Sequence, residues 1–113
     1  MQQDGKHVIV YTTCPSLEVA AEIGRVLVEC RQAACVNILP QMISVYVWNN
    51  QTQRDEEVAM LVKTQAVLST SVIQTIKNLH PYEVPAVLVL PVCDGSKEFT
   101  DWITEQTSGL HIR

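Results

Sequence analysis

His80-Pro81-Tyr82-Glu83-Val84-Pro85-Ala86-Val87-Leu88-Val89-Leu90-Pro91-Val92 is the stretch on which the reading of this chain turns, because a helix stops there and an apolar strand begins. Pro81 cannot continue a helix, and Pro85 pushes Val84 towards extended geometry, so the segment between the prolines is stiff. His80, Tyr82 and Glu83 stand in that stiff corner. The corner has two readings, a polar site at the edge of a sheet and a simple helix stop, since a cationic His at a helix C-terminus is favourable with no ligand present.

Working backwards from it, Leu68, Val72, Ile76 and Leu79 recur at helical spacing and mark the helix that Pro81 ends. Upstream, His7 to Thr13 is rich in Val, Ile, Tyr and Thr and reads as a strand stopped by Pro15. Ser16 offers an N-cap to a helix whose apolar stripe is Ala20, Ile23, Leu27 and Cys30. Ala34 to Leu39 reads as a second strand, interrupted by Pro40 and continued from Met42 to Trp48. Asn49 and Asn50 supply a turn, and Glu56 to Thr64 returns as a third strand, closing a long hairpin. Beyond the fourth strand, Val84 to Val92, Asp94-Gly95 breaks the chain and Ser96 caps a last helix with inner face Phe99, Trp102, Ile103 and Gln106. The order strand, helix, strand, strand, helix, strand, helix predicts an α+β protein with the split βαβ arrangement of ferredoxin-like folds and an added C-terminal helix.

The 113 residues suit one domain with one core, with residues 1–6 and 107–113 expected as flexible tails. Hydrophobic residues make up 47% and charged residues 18%, so burial of apolar surface between subunits is expected. The net charge of −4 and the lack of a Lys/Arg run argue against nucleic acid. No apolar run approaches the ~20 residues that span a bilayer, and no membrane partner is expected. Cys14, Cys30, Cys35 and Cys93 form no Cys-x-x-Cys pair and are read as reduced thiols of a cytoplasmic protein. There is no two-His helical motif, phosphate loop or nucleophile elbow, which lowers the expectation of an enzyme.

In the ferredoxin-like arrangement the first and third strands are expected to run parallel to each other and the second and fourth the opposite way, so one sheet edge collects Cys14, Cys35, Lys63, Thr64, His80, Tyr82 and Glu83, while His7 and Cys93 fall at the opposite edge. His7 is expected to be solvated there, and His111 to lie in a mobile tail.

Several separated motifs then carry a resemblance. Arg31-Gln32-Ala33-Ala34-Cys35-Val36-Asn37-Ile38, Tyr46-x-Trp48, Glu57 ahead of Lys63-Thr64, and His80-Pro81-Tyr82-Glu83-Val84-Pro85 with Leu90-Pro91-Val92 occur in the order seen in the CutA family of divalent-cation tolerance proteins. The chain resembles that family from about residue 7 to 105. The resemblance implies a ferredoxin-like protomer in a compact homotrimer like that of PII-type signalling proteins, a link to tolerance of copper and other divalent metals, acetylcholinesterase anchoring in animal members, and no established catalytic reaction. Gln32, Asn50 and Ala86 depart from the pattern, where Leu, Gly and an acidic residue are usual. Ala86 removes one potential oxygen ligand.

Each candidate residue carries two readings. Cys14 and Cys35 are either small core residues or soft ligands, since thiolate favours Cu(I) and imidazole favours Cu(II) or Zn(II). With His80 and Glu83 they form the candidate set for weak binding of copper or another divalent cation. Tyr46 and Trp48 alternate on one strand and face the same side, where an interface is the better reading. Glu57, Lys63, Tyr82 and Trp102 join them as cleft or interface residues, with Lys63 either in a rim salt bridge or binding an anion. The leading expectation is a trimeric metal-binding protein. The alternative is a small-molecule sensor or enzyme using the same inter-subunit clefts, with Cys35 or His80 as acid, base or nucleophile.

Overall fold

The computed structural model describes residues 5–109. Its elements are β1 (His7–Cys14), α1 (Leu17–Glu29), β2 (Cys35–Trp48), β3 (Gln51–Gln65), a 3-10 turn (Ala66–Leu68), α2 (Ser69–Leu79), β4 (Val87–Pro91) and α3 (Lys97–Gln106). The sheet order is β2-β3-β1-β4, and every neighbouring pair is antiparallel. This is the predicted α+β, ferredoxin-like arrangement with a third helix.

Local chemistry sets the helix ends. Ser16 Oγ accepts from Val19 N–H at 3.2 Å, and Ser96 Oγ from Phe99 N–H at 3.3 Å, so both predicted caps satisfy amides that the first helical turn leaves without partners. α1 ends where Arg31 takes φ 57°, a left-handed residue just past the C-cap. Its apolar stripe meets β1, β3 and α2 in one core containing Val10, Cys14, Ala20, Ile23, Leu27, Met60, Val62, Val72 and Ile76. Along β1 the residues Val8, Val10, Thr12 and Cys14, two apart, all point to that helix-covered face.

The predicted strand directions are corrected. β1 runs antiparallel to β3 and in the same direction as β2. The reason is topological: a strand, helix, strand crossover returns parallel to its start, and the hairpin strand β3 then slots between β1 and β2 with reversed direction.

β2 and β3 are both longer than β1. Their register shifts between Leu39 and Met42, where Pro40 interrupts and Gln41 adopts φ 62°, and pairing then resumes to the turn. β1 pairs with β3 only from Val58 to Gln65, so 42–48 and 51–57 project past the sheet as a two-stranded ribbon. Asn49 and Asn50, at φ 51° and 63°, form the tight turn at its tip.

At the other end, Thr107 is buried, and its hydroxyl accepts from Gln65 Nε2 at 2.8 Å. His7 is also buried rather than solvated, with Nε2 2.8 Å from Thr104 Oγ1 of α3. His111 lies outside the described residues.

Candidate functional site

An open cleft of about 730 Å³ lies where the ribbon leaves the sheet, lined by Thr13, Pro15, Tyr46, Trp48, Asp55, Glu56, Glu57, Tyr82, Val84 and Ala86. Three parts of the chain meet there: the end of β1, the ribbon, and the stiff corner after α2. Tyr46 pairs with Gln53, which puts Asp55 diagonally opposite on the same face, and the Tyr46 hydroxyl donates to Asp55 Oδ2. That hydrogen bond, then partial desolvation, and then the negative charges of Asp55 and Glu57 hold the Tyr46 phenol above its ordinary pKa. Burial first, and then Glu57 and Asp55, push Tyr82 up as well. Both phenols therefore present neutral hydroxyls at neutral pH to a wall carrying the carboxylates of Asp55 and Glu57.

The corner is fastened by His80. Its Nε2 lies 2.7 Å from the Thr13 carbonyl, and its Nδ1 accepts from Tyr82 N–H at 3.1 Å. A carbonyl can only accept and an amide can only donate, so the ring is the neutral Nε2–H tautomer with both nitrogens committed. The Tyr82 ring packs against it, 4.8 Å between centroids at 49°. His80 thus shapes the cleft, and no ring nitrogen is left over for a metal.

The predicted residues divide between two ends. Tyr46, Trp48, Glu57 and Tyr82 line the cleft, and Cys14 lies beneath it between Thr13 and Pro15. Glu83 sits on the exposed corner and does not line it. Cys35, Lys63 and Thr64 are not there, which corrects the expected edge. Cys35 pairs with Lys63 and Lys63 with Ile9, five residues along β3 from the Cys14 partner Val58, or roughly 17 Å. Lys63 Nζ lies over the Phe99 ring at 5.3 Å, a cation–π contact at the α3 end, and Trp102 stacks on Phe99 there. Cys14, Cys35, His80 and Glu83 therefore do not converge. Among the described residues no three His, Cys, Asp or Glu side chains form a metal-binding group. Burial, and then Glu57, push the Cys14 thiol up to about 11, so it is a neutral S–H at neutral pH.

Asp55 and Glu56 escaped the sequence reading. The signal that reaches Asp55 is the two-residue turn at Asn49-Asn50, which sets the ribbon's register and places Asp55 diagonal to Tyr46.

With this geometry in hand, the sequence matches the model of the CutA1 divalent ion tolerance protein family over residues 8–106. The chain belongs to that family. It is 43% identical over 99 residues to the divalent-cation tolerance protein CutA of Thermus thermophilus, covering 88% of this chain and 96% of that one. It is 41% identical over 100 residues to Protein CutA of Mus musculus, covering 88% of this chain, and it spans only 56% of the mouse protein's length. The Thermus thermophilus structure superimposes with TM-score 0.86 at 42% identity, covering 90% of this chain and 99% of that one. CutA1 from Oryza sativa gives TM-score 0.88 at 32% identity, covering 92% and 95%. The CutA1 fold is thereby shown.

Proposed function

We propose that this CutA1 chain works as a compact homotrimer in the cytoplasm, a binding protein rather than an enzyme, that holds a divalent cation, copper foremost, weakly and reversibly in the cleft. The observation that carries the reading is the placement of Asp55 and Glu57, two apart on β3 and so on one face, on a wall of the cleft near Tyr82. Carboxylate oxygens and water suit a divalent ion, and the lack of a spare imidazole and of an acid at Ala86 makes the hold weak. Assembly is supported by the apolar surface the protomer exposes: Val45, Val47, Trp48 and Leu88 are each more than 60% accessible. β2 and β4 also present free sheet edges. Four cysteines that carry no disulfide among the described residues support a reducing compartment.

One observation favours the alternative of a small-molecule sensor or enzyme. Tyr46, Trp48 and Tyr82 line a space within the size range of ligand pockets. Calorimetric titration with Cu(II), Zn(II) and nucleotides separates the readings. Cu(II) uptake by the parent is expected to weaken at least tenfold in Asp55→Asn/Glu57→Gln and to persist in His7→Ala. Uptake lost in His7→Ala but kept in the carboxylate variant would overturn the cleft assignment. Sedimentation equilibrium showing a monomer at micromolar concentration would overturn the trimer.

A further inference from the structure

Asp94-Gly95 breaks the chain between β4 and α3, and neither residue lines the cleft. Residues 92–96 belong to no helix or strand, and every residue from Cys93 to Phe99 is exposed. The Asp94 side chain folds forward onto the next peptide unit, where Oδ1 accepts from the Gly95 N–H at 2.8 Å. The carboxyl carbon is one bond from that oxygen, so carbon and nitrogen are already gathered for a five-membered ring to close. Gly95 has no side chain to shield its nitrogen. Among the described residues no ion pair draws the Asp94 carboxylate away. Asn37, Asp55, Asn78 and Asp101 differ on each count: they sit inside strands or helices, and a large side chain follows each of them.

We propose that Asp94 is a site of spontaneous isomerisation to isoaspartate, through a cyclic imide closed by the Gly95 nitrogen, and that the product loosens the start of α3. In the first step the nitrogen bonds to the carboxyl carbon of the un-ionised acid, the carbon–hydroxyl bond breaks, and the hydroxyl leaves as water with the amide proton. In the second, water adds to one of the two imide carbonyls. Opening at the side-chain carbonyl restores aspartate. Opening at the main-chain carbonyl leaves the chain running through Cβ with a free α-carboxylate, and no electron changes hands in either step. The rearranged main chain is one methylene longer, directly ahead of the α3 cap. There Ser96 Oγ accepts from Phe99 N–H at 3.3 Å, and the Ser96 carbonyl accepts from Thr100 N–H at 3.0 Å. Farther along, α3 is pinned to the sheet by Thr104 to His7 at 2.8 Å and by Thr107 to Gln65 at 2.8 Å. A longer link ahead of a helix pinned at its far end releases the first turn rather than the whole element. The chemistry needs neither a bound cation nor a second chain, so the site stands apart from the cleft.

The test is ageing of the full chain for several weeks at body temperature and mildly acidic pH, then trypsin digestion and mass spectrometry with electron-transfer fragmentation, which tells isoaspartyl from aspartyl peptides. Cleavage after Lys77 and Lys97 isolates Asp94 in one peptide, and cleavage after Lys6 puts Asp4, which also precedes a glycine, in another. The isoaspartyl form of the 78–97 peptide is expected to accumulate within about threefold of its rate in a free synthetic peptide of the same sequence. In Asp94→Glu, whose longer side chain would have to close a six-membered imide, no isomer is expected at that position. In the isomerised fraction, hydrogen exchange at Phe99 and Thr100 is expected to speed at least about threefold, while exchange at Leu27 in α1 stays as in the fresh chain. A 78–97 peptide that remains aspartyl, or that isomerises more than about tenfold slower than the free peptide, would overturn the site. Unchanged exchange at Phe99 and Thr100 in the isomerised fraction would overturn its effect on α3.

Discussion

His80 donates from Nε2 to the main-chain carbonyl of Thr13 at 2.7 Å, across 67 positions of sequence, and so ties the corner after α2 to the end of β1. This bond sets the distance between the corner and the sheet, and with it the width of the cleft. Replacing the ring in His80→Ala leaves a buried carbonyl without its donor, at a cost of about 1–3 kcal/mol. Urea unfolding should show a lower midpoint with an unchanged slope, and His80→Gln, whose amide can donate, should recover part of the loss. An Ala variant as stable as the parent would remove His80 from this role.

Trp48 is 65% exposed on the protomer although it is among the largest apolar side chains in the chain. If it is an assembly anchor, Trp48→Ala should weaken subunit association by about 2 kcal/mol or more. Sedimentation equilibrium across a dilution series measures this directly. Dissociation indistinguishable from the parent would mean that Trp48 anchors nothing.

Gly24 is buried in α1, and a Cβ built there would meet Val36 Cγ1 at 3.4 Å and Val36 Cβ at 3.5 Å, ordinary contact distances. Glycine inside a helix costs roughly 0.5–1 kcal/mol relative to alanine. Gly24→Ala should therefore raise stability by up to about that amount. Gly24→Val, which extends past the same contacts, should lower it. Thermal melts of the two variants give opposite signs if the packing is as described.

Alkaline pH should loosen the fold by a route that Cys14 supplies. Its thiol is raised from 9.0 to about 11, so the folded chain keeps a proton that the unfolded chain releases. The resulting stabilisation is complete below pH 9 and is lost as pH climbs through 11. Tyr82, also raised, acts in the same sense. Urea midpoints between pH 8 and 11 should fall, and Cys14→Ala should flatten the decline. A parent midpoint that holds constant over that range would contradict it.

At the ribbon tip, Asn50 holds φ 63° in a turn whose second central position favours glycine. Asn50→Gly should stabilise the chain by about 0.5 kcal/mol, and hydrogen exchange at Gln51 and Thr52 should slow.

Much of the fold was legible because periodicity and punctuation agree. Ser16 and Ser96 announce the two helix starts, and Pro81 marks the stop of α2. Strand direction was misread because spacing along a chain carries no information about which strand slots between which. That one inversion moved Cys35, Lys63 and Thr64 to the wrong end. His80 was read as either a helix stop or a ligand. The choice rests on two hydrogen bonds, to Thr13 and Tyr82, that no sequence pattern announces. The burial of His7 against Thr104 escaped notice for a similar reason, since residues 97 positions apart share no local pattern.

The ribbon of residues 42–48 and 51–57 has a kinetic consequence. The body of the chain carries the core, the helices α1 and α2 that cover it and the His80 bond, so its formation is first order and independent of dilution. A bare two-stranded ribbon is marginal in water, and this one exposes Val45, Val47 and Trp48. In the proposed homotrimer a neighbouring subunit covers it, and its ordering would then acquire a second clock whose rate scales with concentration. Diluted below the point at which such a trimer holds, the chain would become a folded body with a fraying arm, and the wall of the cleft that carries Asp55 and Glu57 would fray with it.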